Sequence, residues 1–200
     1  MKEMIDRRIK KTRLALKNAY IDLLEKFTDD QITVVMITQY ADVNRATFYD
    51  HFSNKSDLLE EILCDVRDGL KEEILTPFKE KNTIKIKTLT PTTVRIFEYI
   101  DKHKKAFHAL YVSYPVFKHQ MEELFFEIFS KDIRMELQSE VGEVNYEMFL
   151  HYQTSATIGL IFFWIKNHFH SAAYMMDQLT ILSNTKVINL ISVPHSPKSV

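Results

Sequence analysis

Glycine and proline are scarce, with three and five in 200 residues. So few breakers exclude a turn-rich all-β sandwich or barrel, and beside abundant Leu, Ile, Lys, Glu and Met they point to an all-α chain. The one cysteine, Cys64, excludes an internal disulfide framework and suggests a reducing compartment. It reads as a small buried hydrophobe rather than a reactive thiol. The longest apolar run, IGLIFFWI at 158–165, has eight residues and is well short of a membrane span. The start, MKEMIDRRIKKTR, never leads into the apolar segment of a signal peptide. A soluble, cytoplasmic protein without a membrane partner is the expectation. No Gly-rich phosphate loop, HExxH, GxSxG or paired-carboxylate motif occurs, so nothing supports an enzyme and no cofactor is expected. His168 and His170, two apart, diverge on a helix and suit a frayed end better than a metal.

Net charge is only −1, which by itself argues against a nucleic-acid partner. Its distribution argues the other way. Residues 1–20 hold seven basic side chains (Lys2, Arg7, Arg8, Lys10, Lys11, Arg13 and Lys17) against Glu3 and Asp6, a local charge of +5. A basic arm on an acidic body suits local contact with a polyanion, although a solvated terminus would look the same.

Helical periodicity divides the chain. Leu16, Ala19, Tyr20, Leu23, Leu24 and Phe27 make one apolar stripe on a first helix from about Asp6 to Phe27. Thr33 can cap a second helix carrying Val34, Ile37 and Ala41, and Asn44 a third that ends near Phe52. Asp42, between them, tolerates unusual backbone angles. Ser56 can cap a fourth helix reaching about Thr76, just before Pro77. KEKNTIKIKTLT, 79–90, reads as a linker. Helices are then expected at about 91–103, 104–113, 115–139, 145–167 and 171–191, before a flexible tail at 192–200.

Two short helices joined by a tight turn are the skeleton of a helix-turn-helix. The second must bury one side and offer the other to the major groove. Phe48 and Phe52, four apart, fit the buried side; Arg45 and Tyr49, also four apart, lie on another face with Thr47 and His51 near it. Arginine suits the acceptors of guanine, whereas tyrosine and histidine more often bond phosphates. Lys55 and Ser56 put a cation and backbone N–H groups at a helix start, an anion site. An ordinary helical bundle with solvated polar faces would satisfy the same pattern.

The stretch TVVMITQYADVNRATFYDHFSNKSDLL (33–59) resembles the N-terminal DNA-binding domain of the TetR family of transcriptional regulators. Thr33, Ile37, Ala41, Val43, Thr47, Phe48, Tyr49, His51, Phe52, Lys55, Leu58 and Leu59 match its pattern. Asp42 stands where Gly is usual, Thr38 for Ala, Asn44 for Ser and Ala46 for Gly. The resemblance is specific over about residues 10–65 and architectural beyond. It implies a DNA-binding domain at 1–55, a connecting helix at 56–78 and a ligand-sensing, dimerising domain at 79–191. The DNA-binding candidates are Thr33, Asn44, Arg45, Thr47, Tyr49, His51 and Lys55. Implied partners are a near-palindromic double-stranded operator, a second copy of the chain and a small, largely apolar ligand.

The region after residue 90 carries its own signals. From Ala156 onward the 145–169 stretch is apolar on nearly every side, which requires burial all round and so a second subunit. Gly159, Ile161 and Phe162 are the interface candidates, Gly159 for close helix approach. Phe107, Tyr111, Phe125 and His151 are the pocket candidates, as aromatic or polar groups suited to orienting a ligand, though an ordinary core would use them equally well. The favoured reading is a ligand-released, homodimeric repressor. The alternative is a helical small-molecule-binding or protein-interaction module with no DNA readout.

Overall fold

The computed structural model describes residues 2–80, 95–137, 142–167 and 171–183, which form helices and connecting turns with no strand among them. Residues 81–90 of the expected linker, the start (91–94) of the next expected helix, His168 and His170, the end of the last expected helix and the tail at 192–200 lie outside the described residues, while Lys79 and Glu80, expected in the linker, are helical.

Helix α1 (Lys2–Leu24) buries Leu16, Ala19, Tyr20, Leu23 and Leu24, the stripe read from periodicity; Phe27 lies beyond its end and is exposed. A 3-10 turn, Asp29–Gln31, follows, held by the Thr28 amide donating to the Gln31 side chain at 3.0 Å. Helix α2 (Val34–Tyr40) is capped by Thr33, whose hydroxyl accepts from the Met36 amide at 3.3 Å. Helix α3 (Arg45–Tyr49) is capped by Asn44, whose side-chain oxygen accepts from the Ala46 amide at 2.8 Å.

Helix α4 (Lys55–Glu80) starts earlier than its sequence suggested. The cap is Asn54, which accepts from the Asp57 amide at 3.0 Å, and Asp57 accepts in return from the Ser53 amide at 3.1 Å. Ser56 is therefore inside the helix. The helix also runs through Pro77, whose missing N–H removes one ladder bond, and continues to Glu80, the last residue described before 95.

Helices α5 (Arg95–Lys102), α6 (Lys104–Ser113), α7 (Phe117–Glu127), α8 (Tyr146–Lys166) and α9 (Ala172–Ser183) complete the bundle. The long helix expected to reach Ser139 stops early. After Glu127 the chain makes a π turn, Ile128–Asp132, closed by the Ile133 amide on the Ile128 carbonyl at 2.9 Å, and Ile133 is extended. Lys71 of α4 holds that turn through Asp132 at 2.9 Å. Asn145 and Ser171 cap α8 and α9 through the amides of Met148 and Tyr174.

One hydrophobic core runs through the molecule. Helix α1 packs on α2, α4 and α6; α4 on α5 and α7; α8 lies against α6 and α7; and α9 covers α5. The core of the second half is a run of aromatic rings, Tyr99–Phe107–Phe117–Phe162–Tyr111, with centroids 5.2–6.4 Å apart. Length and composition alone would let α8 cross a bilayer. Its apolarity has a nearer cause here, since Trp164 and Ile165 are fully buried and Trp164 meets Phe97 edge-on at 5.2 Å.

Gly69, in mid-helix on α4, has a reason to be glycine. A Cβ there would stand 2.1 Å from the Tyr99 hydroxyl, so only glycine lets Tyr99 of α5 close onto α4. From that slot Tyr99 donates to the Asp65 carbonyl at 3.2 Å, and Arg95 reaches Glu73 at 2.6 Å alongside.

Candidate nucleic-acid interface

The turn between α2 and α3 is tight because Asp42 adopts φ +52°, the left-handed region that glycine usually fills. The Val43 amide then bonds the Thr38 carbonyl at 3.0 Å, closing the turn. Thr38 itself is buried, with its hydroxyl donating to the Val35 carbonyl at 3.0 Å. Short α3 is held from below by Phe48 and Phe52, both buried and in ring contact at 5.7 Å. Burying each contributes roughly 1.5–3 kcal/mol, enough to fix a five-residue helix that would not form alone.

With one side of α3 fixed, Asn44, Arg45 and Tyr49 are exposed together, and Thr47 and His51 are half-buried at the margin. The Arg45 guanidinium donates to the Tyr49 hydroxyl at 3.3 Å and lies 5.6 Å from the ring centroid. The pair forms a donor-rich, partly ordered surface. Thr33, at the start of α2, is exposed as well. Val35 beside it is an exposed apolar side chain, and Tyr40 at the other end of α2 lies under Lys26, 5.2 Å from its ring.

The basic arm divides in two. Arg7, Arg8, Lys10 and Lys11 are exposed. Arg13 and Lys17 instead face α4. Arg13 bonds Glu61 with both ends of its guanidinium, the Nε contact at 3.1 Å, and covers the Phe52 ring at 4.7 Å. Lys17 pairs with Glu61 at 2.9 Å and Asp65 at 2.5 Å. These two cations tie α1 to α4 and stabilise the domain rather than extend its positive surface.

Lys55, expected as a backbone clamp, is likewise engaged. Its ammonium pairs with Asp29 at 3.1 Å and donates to the Asp29 main-chain carbonyl. Tyr20, fully buried, donates to the same carboxylate, and burial together with that contact pushes its phenol well above the ordinary tyrosine range. Periodicity could not show this hub, because its members lie on three elements.

Farther from α3, the expectations need correction. Ile161 and Phe162 are 1% and 7% exposed within one subunit, since Phe162 stacks on Tyr111 and Ile161 joins the same core. They are not on an outer face. Helix α8 is also not apolar-buried all round: Met148, Tyr152, Ser155, Ala156, Gly159 and Phe163 are exposed and follow one another at helical spacing. Of the three interface candidates only Gly159 belongs to this stripe, with nothing within 4 Å of where a Cβ would stand. The mixed i, i+3 and i, i+4 spacing of 148, 152, 156, 159 and 163 was readable, but the surrounding leucines and isoleucines masked it.

Phe107 and Phe125 are fully buried among other side chains, and Tyr111 is stacked on Phe162. His151 is exposed on α8 and stacked on Phe126 at 4.6 Å. None of these four lines the shallow depression of about 530 Å³ at the start of α8, formed by Val144, Met148, Phe149 and Tyr152 among others. Four buried polar atoms lack a hydrogen-bond partner among the described residues: Arg67 Nε, Glu73 Oε2 (ion-paired with Arg95), the Gln120 side-chain oxygen and the Thr154 hydroxyl, the last two on α7 and α8. Cys64 is half-buried, not buried, and burial beside Glu60 pushes its thiol above the ordinary range.

Known proteins match this arrangement. The family model described as bacterial regulatory proteins, tetR family, matches residues 30–62, and one described as transcriptional regulator C-terminal region matches 87–185. The uncharacterized HTH-type transcriptional regulator YxbF of Bacillus subtilis (strain 168) is 45% identical over 62 residues. That stretch is 30% of this chain and 16% of the relative's length. Among solved structures, a TetR transcriptional regulator from Streptococcus agalactiae 2603V superposes with a TM-score of 0.61 at 22% identity, covering 91% of this chain and 98% of that one. The dihydroxyacetone kinase operon activator DhaS does so with a TM-score of 0.57 at 18% identity, covering 86% and 95%. At such identities these two establish the shared fold.

Proposed function

The chain belongs to the TetR family of bacterial regulators, and from that membership we propose that it is a sequence-specific DNA-binding transcriptional regulator, a repressor that a small ligand releases from its operator. The observation that carries this reading is α3. Its apolar side is locked by Phe48 and Phe52 while Asn44, Arg45 and Tyr49 stand exposed together, which an ordinary core helix would not require. Arg45 would address base edges, and Thr33, Thr47, Tyr49 and His51 with the exposed arm of α1 would meet phosphates. The molecule would act in the cytoplasm, without an enzymatic step. Residues 1–55 would read DNA, α4 would connect, and the part from 79 to 191 would sense and pair.

Two copies would meet through the exposed stripe of α8, with Met148, Tyr152, Gly159 and Phe163 on the contact face. A two-fold pair would set two α3 helices about one DNA turn apart and match a near-palindromic operator. A largely apolar ligand would enter between α7 and α8, where Thr154 and Gln120 offer polar atoms still lacking partners. It would lower DNA affinity only by preferring a conformation in which the two reading helices no longer fit the groove spacing.

The test is selection of bound sequences from random duplex DNA, followed by titration over a range of salt. Enrichment of a near-palindromic site, bound less tightly as salt rises, is the expected result. A protein that binds no duplex at low salt has lost this function and is instead a module without DNA readout.

A further inference from the structure

Lys55, an expected backbone contact beside the recognition helix, is already held by the fold in an ion pair. Its ammonium has three donors. Two are used within the protein, on the Asp29 carboxylate at 3.1 Å and on the Asp29 main-chain carbonyl. A second carboxylate stands close: the Thr28 hydroxyl and nearby amides hold Asp30 below the ordinary carboxylate range, and the Lys55 charge contributes. The turn Asp29–Gln31 therefore presents to Lys55 what a DNA backbone would present, an anionic oxygen beside a neutral one.

Resting on the regulator reading above, we propose that Asp29 acts as an internal substitute for phosphate, holding Lys55 in the unbound protein and yielding it to the DNA backbone on binding. Asp29 is then a positioning residue that sets how tightly the chain grips a duplex.

Two features favour exchange over a permanent staple. The pair is partly reached by solvent, with the Lys55 side chain 21% and that of Asp29 36% exposed, so water screens it more than it would a fully buried pair. The carboxylate is also not orphaned when Lys55 leaves, because the buried Tyr20 hydroxyl still donates to the oxygen that Lys55 had faced. An acceptor that keeps one donor avoids the cost of a buried unsatisfied group. Lys55, on a flexible four-carbon stem at the first residue of α4, can swing to a phosphate while the helix stays in place.

The experiment uses the full chain and a duplex of mixed sequence, since phosphate contacts do not depend on the operator. Affinity is titrated against salt for wild type, Asp29→Asn, Lys55→Met and the double variant, with melting temperatures to confirm folding. Asp29→Asn keeps an oxygen for Tyr20 and removes the competing charge, so it should bind several-fold more tightly at low salt. Lys55→Met should make the salt dependence shallower by about 0.9 in log–log slope, one phosphate contact. The double variant should match Lys55→Met. Equal or weaker binding by a folded Asp29→Asn, or an unchanged slope in Lys55→Met, overturns the exchange while leaving wild-type DNA binding intact. Should Asp29→Asn not fold, the Lys55→Met slope decides alone. Wild-type protein that binds no duplex overturns the regulator reading, and the exchange with it.

Discussion

Arg45 and Tyr49 stand four residues apart on the outer side of a five-residue helix, and each limits what the other can do. The guanidinium rests against the tyrosine, so in the proposed complex it would meet a base edge with fewer rotamers to lose on binding. Replacing Arg45 by Ala should cost about 1–3 kcal/mol on the selected operator and flatten the preference at one position per half-site. A selection profile identical to wild type would remove Arg45 from the base-reading set. At this scale much was legible in the sequence. Asp42 and Asn44 announce their turn and cap because their side-chain chemistry acts over one to three residues. The partner of Lys55 was not legible: Asp29 is 26 residues away, and nothing in either neighbourhood marks the other. The same holds for Arg13 and Lys17, which look like arm residues until α4 brings Glu61 and Asp65 against them.

Helix α4 shows where periodicity succeeds and where it stops. Its apolar positions Leu58, Leu59, Ile62, Leu63, Val66 and Leu70 are all buried, as their spacing requires. Its limits were misread at both ends, because Asn54 outcompetes Ser56 as cap and Pro77 interrupts too little ladder to end the helix. The early stop of α7 was equally hidden, since the π turn depends on a tie to Lys71 in another helix. A test at this scale concerns Gly69. Gly69→Ala should expel the Tyr99 ring, losing a hydrogen bond of about 1 kcal/mol and the ring's contacts with His103 and Phe107, while α4 gains only about 1 kcal/mol in helix propensity. The melting temperature should therefore fall modestly. The Tyr99 phenol should move much more: burial and the nearby Asp65 and Glu73 charges now hold it above the ordinary tyrosine value, and it should fall back towards that value in the variant. Spectroscopic titration of wild type, Gly69→Ala and a Tyr99→Phe control checks this, and an unmoved titration would mean the slot tolerates a methyl group.

Across the whole molecule, α8 has two faces with different fates. Ile161 belongs to the core of one subunit and Phe163, two residues on, is 56% exposed. Phe163→Asp should leave a folded protein that sediments as a monomer, whereas Ile161→Asp should unfold it, because a charge without a partner is buried at large cost. Equal sedimentation of Phe163→Asp and wild type would move the contact between subunits elsewhere. Sequence alone merged the two faces, since an apolar side chain reads the same whether its own fold or a second copy covers it. The Gly69 slot matters at this scale through simple mechanics. Lys55 stands fourteen residues back along α4 from Gly69, an arm of about 21 Å. A swivel of about 10° where Tyr99 seats would sweep the far end by roughly 4 Å, whereas a productive contact tolerates about 0.5 Å. A joint made of one missing methyl group would thus amplify a small swivel around Tyr99 into a displacement larger than a contact at the proposed DNA surface tolerates.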